Sequence, residues 1–137
     1  MKKFALALFA FLLVLTMGNL AEAGGPLGIK VTNSEAGGMS GGKQAIIFWM
    51  TVKNTTSSEY ISRLNSVTVE VIGQHNGGQE KYRRDVKVDW TFEPALGPGQ
   101  AKKLKTRFMR KVNPGKGWYK YNNVRIRVLK YNFNRIS

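Results

Sequence analysis

Twelve basic residues lie between Lys102 and Arg135, and no Asp or Glu interrupts them. Within this segment Lys103, Lys105 and Arg107 recur at every second position, as do Arg125 and Arg127. In extended strands, residues at that spacing project from one face. Ammonium and guanidinium groups donate charge-assisted hydrogen bonds to carboxylate, phosphate or sulfate groups. These five residues are therefore the predicted anion-binding site.

The turn residues at 113–117 allow two arrangements of this site. A hairpin centred near Gly115 would set Lys105 opposite Arg125 and Lys103 opposite Arg127. Like charges directly across a strand pair destabilise a sheet, so such a face would need solvent or a bound anion. In many immunoglobulin-like sandwiches the two strands belong to different sheets, and the charges would then divide between two surfaces.

Catalytic chemistry has few candidate residues in this chain. His75 is the only histidine and there is no cysteine, so neither a His-rich nor a thiolate metal site is expected. Residues 38–42 match G-x-S-x-G, but the flanking sequence predicts neither the preceding strand nor the following helix of a nucleophile elbow. Asp85 and Asp89 share a strand face with Lys87, which favours surface salt bridges over general acid–base work. We expect no enzyme activity, metal or cofactor, and a solvated His75 in a turn.

The first residues predict export. Lys2 and Lys3 precede an apolar run from Phe4 to Met17. Two small residues, Ala21 and Ala23, follow it. This order is typical of a secretory signal peptide at 1–23. As a helix the run would reach ~21 Å, short of the ~30 Å hydrocarbon core, which favours a cleaved signal over an anchor. No later stretch is apolar enough to span a bilayer, and an exported chain without cysteine suggests a bacterial periplasmic or secreted protein.

Charge indicates the class of partner. Residues 24–137 carry 20 basic and 7 acidic side chains, a net charge of 20 − 7 = +13. Solubility alone calls for a net charge of about 2–8 in a small domain. Anionic lipid headgroups, lipopolysaccharide, teichoic acid and acidic polysaccharide are the expected partners outside the cytoplasm. Nucleic acid also fits basic residues interleaved with aromatic ones, but export argues against it.

The elements that must position these residues are β-strands. Apolar residues alternate with polar ones, and Gly, Pro and Asn cluster between the alternating runs, which predicts strands and turns. The predicted strands cover Leu27–Val31, Gln44–Lys53, Ile61–Gln74, Gln79–Phe92, Gln100–Val112 and Trp118–Phe133. A flexible glycine-rich loop is predicted at 34–43. We therefore expect one all-β domain at 24–137, an immunoglobulin-like antiparallel β-sandwich of about six or seven strands.

The order of several short motifs supports this fold. Val52-Lys53-Asn54-Thr55 ends one strand, Ser66–Val71 forms the next, and Leu96-Gly97-Pro98-Gly99-Gln100 makes a turn before the Val124–Val128 strand. This order resembles the FxLYD-type immunoglobulin-like domains of bacterial exported proteins, over about residues 46–131. The resemblance implies a sandwich fold and an envelope location, and it implies no activity.

Two functions follow from these features. The first is an exported, non-catalytic binding or interaction module for anionic envelope components. The alternative is an adhesin-like or pilus-associated assembly protein that pairs with other chains through sheet edges. For that role the short first strand, Leu27–Val31, is the candidate to detach or exchange.

Overall fold

The computed structural model describes residues 25–136, and the predicted signal peptide at 1–23 lies outside them. The described chain forms six strands: β1 (Leu27–Ser40), β2 (Lys43–Asn54), β3 (Tyr60–His75), β4 (Gly78–Leu96), β5 (Ala101–Lys111) and β6 (Asn123–Ile136). A short 3₁₀ turn at Pro114–Lys116 lies between β5 and β6. Residues 25–136 include no helix of the length and hydrophobicity needed to cross a membrane.

The strands form two antiparallel sheets of three. Sheet A has the order β1-β2-β5, and sheet B has the order β4-β3-β6. The pairing of the second strand with the fifth and of the third with the sixth matches the neighbouring B–E and C–F strands of immunoglobulin sandwiches. The prediction of an all-β sandwich of about six or seven strands is confirmed.

The core lies between the central strands of the two sheets. Ile46, Phe48 and Met50 of β2 are fully buried, as are Val67 and Val69 of β3. Because side chains alternate across a strand, the residues between these positions face outward. Each sheet therefore has one apolar inner face and one polar outer face.

The glycine-rich segment at 34–43 is strand rather than loop. β1 continues to Ser40, and Gly41 and Gly42, with φ of 57° and 75°, form a tight turn into β2. Gly37 lies so close to β2 that an added Cβ would stand 3.0 Å from the Ala45 carbonyl oxygen. The loop prediction is wrong because Gly37 allows β1 to approach β2 closely. The two strands stay paired through register shifts at 31–33 and 36–39.

Asn54 ties three segments together at the end of β2. Its buried Nδ2 donates to the carbonyls of Glu59 and Leu96, at 2.8 Å each. Its Oδ1 accepts from the backbone N–H and the hydroxyl of Thr56, at 3.0 and 2.7 Å. Asn54-Thr55-Thr56 matches the N-glycosylation pattern. In the folded chain, however, the Asn54 side chain is buried, and both its nitrogen and its oxygen are hydrogen-bonded.

Candidate functional site

The five predicted site residues are divided between the two sheets. β5 pairs with β2, where Lys103, Lys105 and Arg107 lie opposite Thr51, Trp49 and Ile47. β6 pairs with β3, where Arg125 and Arg127 lie opposite Ile72 and Glu70. The hairpin arrangement is therefore wrong, and the second arrangement, with the charges on two surfaces, is the observed one.

The packing of β5 and β6 explains this division. Each strand has an apolar face, with Leu104 and Phe108 on β5 and Val124, Ile126 and Val128 on β6, and all five side chains are buried. In a sandwich the apolar faces of two sheets meet across the core, so the charged faces point in opposite directions. The segment 112–122 carries the chain from sheet A to sheet B.

The outer face of sheet A holds the β5 row, which we define as Lys103, Lys105 and Arg107. All three side chains are exposed, and the half-buried Ile47 and Trp49 of β2 lie beside them. The Lys105 Nζ stands 5.3 Å from the centroid of the Trp49 ring, within range of a cation–π interaction. Lys105, Arg107 and Ile47 line a shallow, open depression on this face.

Acidic groups do not neutralise the β5 row. Within residues 25–136, none of its three side chains takes part in an ion pair. By strand register, the outer face of sheet A carries seven cations and one carboxylate, Glu35. The cations are Lys30, Lys43, Lys53, Lys103, Lys105, Arg107 and Lys111. Glu35 is two strands away from Arg107, about 10 Å across the sheet.

The outer face of sheet B is partly neutralised. A guanidinium nitrogen of Arg127 lies 3.4 Å from Glu70, and the Lys81 Nζ lies 3.8 Å from the same carboxylate. Asp85 accepts a hydrogen bond from the Thr68 hydroxyl on this face. Two of the predicted site residues lie on this face. Arg127 is paired with Glu70, whereas Arg125 forms no ion pair within residues 25–136. This contrast makes the β5 row the stronger candidate for binding an anion.

A buried polar cluster closes one end of the core, and sequence patterns did not predict it. Arg110 is 7 % exposed, its guanidinium lies 3.6 Å above the Tyr121 ring, and it stands 3.7 Å from Glu80. The Tyr121 hydroxyl donates to Glu80 at 2.6 Å. Gln44 donates to the Tyr121 carbonyl and accepts from the Tyr121 N–H, at 2.9 Å each. Burial, and then the hydrogen bond to Glu80, raise the pKa of Tyr121 above its ordinary value.

His75 belongs to the rim of this cluster and is not the solvated turn residue that we predicted. Its side chain is 8 % exposed, and its ring centroid lies 5.0 Å from that of Tyr119. Its Nδ1 accepts from the Gly77 N–H at 3.1 Å, and its Nε2 lies 4.0 Å from Glu80. No buried side-chain nitrogen or oxygen in residues 25–136 lacks a hydrogen-bond partner. The buried polar atoms of the cluster therefore form a satisfied network.

The other candidate catalytic residues, Ser40, Asp85 and Asp89, do not form a catalytic arrangement. Ser40 ends β1 and is followed by the turn into β2, so the helix that a nucleophile elbow requires is not there. Asp89 lies 3.2 Å from a guanidinium nitrogen of Arg63, whereas Asp85 bonds Thr68. In the part of the chain that the structure describes, no three His, Cys, Asp or Glu side chains form a group able to hold a metal ion.

Comparison with protein-family models, with curated proteins and with solved structures gave no match. The resemblance to FxLYD-type domains remains a prediction, and the site is interpreted from its own geometry.

Proposed function

We propose that this chain is an exported, non-catalytic binding module that holds an anionic ligand on the outer face of sheet A. One observation carries the proposal: the β5 row presents three exposed cations without an acidic partner in the described chain, beside Ile47 and Trp49. Neighbouring members of the row lie two residues apart, or roughly 6.5 Å along the strand. A ligand with several anionic groups along its length can contact all three.

The expected affinity for each contact is modest. An exposed ion pair contributes about 0.2–1 kcal/mol, so three pairs contribute about 0.6–3 kcal/mol. That corresponds to roughly 3- to 150-fold in Kd. A polymer or a surface that repeats its charge would gain further by multivalency. For this reason the favoured ligands are anionic lipid headgroups, lipopolysaccharide, teichoic acid and acidic polysaccharide, all outside the cytoplasm. Nucleic acid is disfavoured only by the predicted export.

A pair of matched variants tests the proposal, with heparin as a soluble polyanion. K103Q/K105Q removes two charges from the β5 row, and R125Q/R127Q removes two from sheet B. We expect the first variant to weaken heparin binding roughly 2- to 30-fold and the second by less than about 2-fold. Binding of the unaltered protein should weaken steeply as salt rises from about 50 mM to about 500 mM.

Two results would overturn the proposal. Equal losses in the two variants would mean that total charge, and not the β5 row, determines binding. No heparin binding by the unaltered protein at low salt would remove the function itself. Far-ultraviolet circular dichroism of both variants verifies that each retains its strands.

The assembly alternative loses its candidate for strand exchange. β1 is 14 residues long, rather than the short strand predicted at Leu27–Val31, and it pairs with β2 from Leu27 to Ser40. The Leu27 N–H also donates to the Tyr131 hydroxyl at 3.1 Å, which ties the start of the strand to sheet B. A strand held along its length is a poor candidate for exchange between chains.

A further inference from the structure

Three connections meet at one end of the sandwich, which we call the tip. They are the β1–β2 turn at 41–42, the β3–β4 turn at 76–77 and the β5–β6 segment at 112–122. The Val112 N–H donates to the Gly42 carbonyl at 2.9 Å, and the Asn122 side chain donates to that of Asn76 at 2.8 Å. The first residue of β1 and the last residue of β6 both lie at the opposite end of the sandwich from the tip.

The tip exposes large apolar side chains. Met39, Trp118 and Tyr119 are each 43 % exposed, and they are three of the six exposed large hydrophobic residues of the described chain. Trp118 is held in this position by its backbone: its N–H donates to the Asn113 carbonyl at 3.0 Å, and the Asn113 N–H donates back at 2.7 Å. Its exposure is therefore built into the fold of the 112–122 segment.

Lysines lie beside Trp118 and Tyr119. The Lys116 Nζ stands 5.3 Å from the centroid of the Trp118 ring. Lys43 and Lys111 line the same shallow depression as Trp118, and Lys120 lies beside Tyr119. The carboxylate at this end, Glu80, is already bonded to Tyr121 and Arg110. The tip thus combines exposed apolar groups with cations that a nearby carboxylate does not neutralise.

We propose that the tip binds the surface of an anionic lipid bilayer. Trp and Tyr are enriched at the membrane–water interface, where the ring is partly buried and its polar group stays hydrated. Lysines beside them would contact anionic headgroups, while their methylene chains lie along apolar surface. A sugar or a nucleic-acid base could stack on Trp118 and Tyr119 but would gain little from Met39, whereas a bilayer accommodates all three. This inference goes beyond the proposed function because it depends on Trp118 and Tyr119 and not on the β5 row, and either can fail alone.

Matched variants and two kinds of vesicle test the inference. W118A/Y119A removes one Trp and one Tyr from the tip, and W90A/Y60A removes a similarly exposed pair elsewhere. The probes are phosphatidylcholine vesicles with and without about 30 % phosphatidylglycerol. We expect the tip variant to lose about 10-fold or more in partitioning to the anionic vesicles and the control to lose less than about 2-fold. Vesicles without phosphatidylglycerol should bind the unaltered protein weakly.

Two further measurements separate this inference from the proposed function. Heparin binding should be nearly unchanged in W118A/Y119A, because the β5 row is intact. Tryptophan emission of the unaltered protein should shift to the blue with anionic vesicles, and W118F should lose most of that shift. Equal vesicle partitioning by the tip variant and the control would overturn the inference. So would a loss of heparin or DNA binding in the tip variant with vesicle binding retained, which would instead assign Trp118 and Tyr119 to stacking on a polymer.

Discussion

Gly73 lies under the ring of Tyr121, and we predict that Gly73→Ala destabilises the protein strongly. An added Cβ would overlap the Cε2 and Cζ atoms of that ring, far inside van der Waals contact. The ring has little room to move because Tyr121 is 1 % exposed. Its hydroxyl is bonded to Glu80 at 2.6 Å, and the Arg110 guanidinium covers its face at 3.6 Å.

The expected loss follows from three contributions. Overpacking a well-filled core costs about 1–3 kcal/mol. Displacing the ring sacrifices the hydrogen bond to the Glu80 carboxylate, about 1.5–3 kcal/mol. Replacing Gly by Ala within a strand returns about 0.5–1 kcal/mol of backbone entropy. The net loss for Gly73→Ala is about 2–5 kcal/mol, a large share of the roughly 5–15 kcal/mol that stabilises an ordinary domain.

Urea denaturation followed by circular dichroism measures this loss, with Gly38→Ala as the control. A Cβ on Gly38, in β1, would meet nothing within 4 Å, so that variant should change the free energy of unfolding by less than about 1 kcal/mol. In a Tyr121→Ala background the ring atoms that the added Cβ would overlap are absent, and the additional cost of Gly73→Ala should fall below about 1 kcal/mol. A Gly73→Ala variant as stable as Gly38→Ala would contradict the prediction, and so would persistence of its full cost in the Tyr121→Ala background.

Two further stability predictions concern Asn54 and Tyr121. Asn54→Asp should lower the free energy of unfolding by more than about 2 kcal/mol, because a carboxylate has no hydrogen to donate to the Glu59 and Leu96 carbonyls. A urea midpoint unchanged at pH 7 would contradict this. The raised pKa of Tyr121 means that the folded state retains a proton that the unfolded chain releases near the ordinary value of 10.0. Stability from this group is thus complete below about pH 10 and is lost as pH rises further. Tyr121→Phe should show a smaller fall in urea midpoint between pH 8 and pH 11, and parallel falls would contradict the prediction.

The alternating pattern predicted much of the fold because it reports which face of each strand is buried. Ile46, Phe48 and Met50 form a buried inner face within the predicted strand Gln44–Lys53, and the turn at Asn76-Gly77 joins β3 to β4. Alternation does not report which strand lies alongside which. For that reason the pattern left open whether the β5 row faced Arg125 and Arg127 or pointed away from them.

The buried cluster was missed because its members look like surface residues. Gln44 follows Lys43, and Arg110 precedes Lys111, so both lie next to charged residues near the ends of their strands. Each nevertheless continues an inner face, two residues beyond Ile46 and Phe108 respectively. A glycine within a valine-rich strand was the other available signal, since Gly73 in β3 marks the close approach of another group.

Nuclear magnetic resonance can locate the anion-binding surface that we propose on the β5 row of sheet A. A short sulfated oligosaccharide would be titrated into protein labelled with ¹⁵N and observed through its backbone amides. We predict that the largest shifts fall on residues 103–107 and on the neighbouring residues 47–51, and that they diminish with added salt. Largest shifts at Arg125 and Arg127, or equal small shifts at basic residues on both sheets, would contradict it.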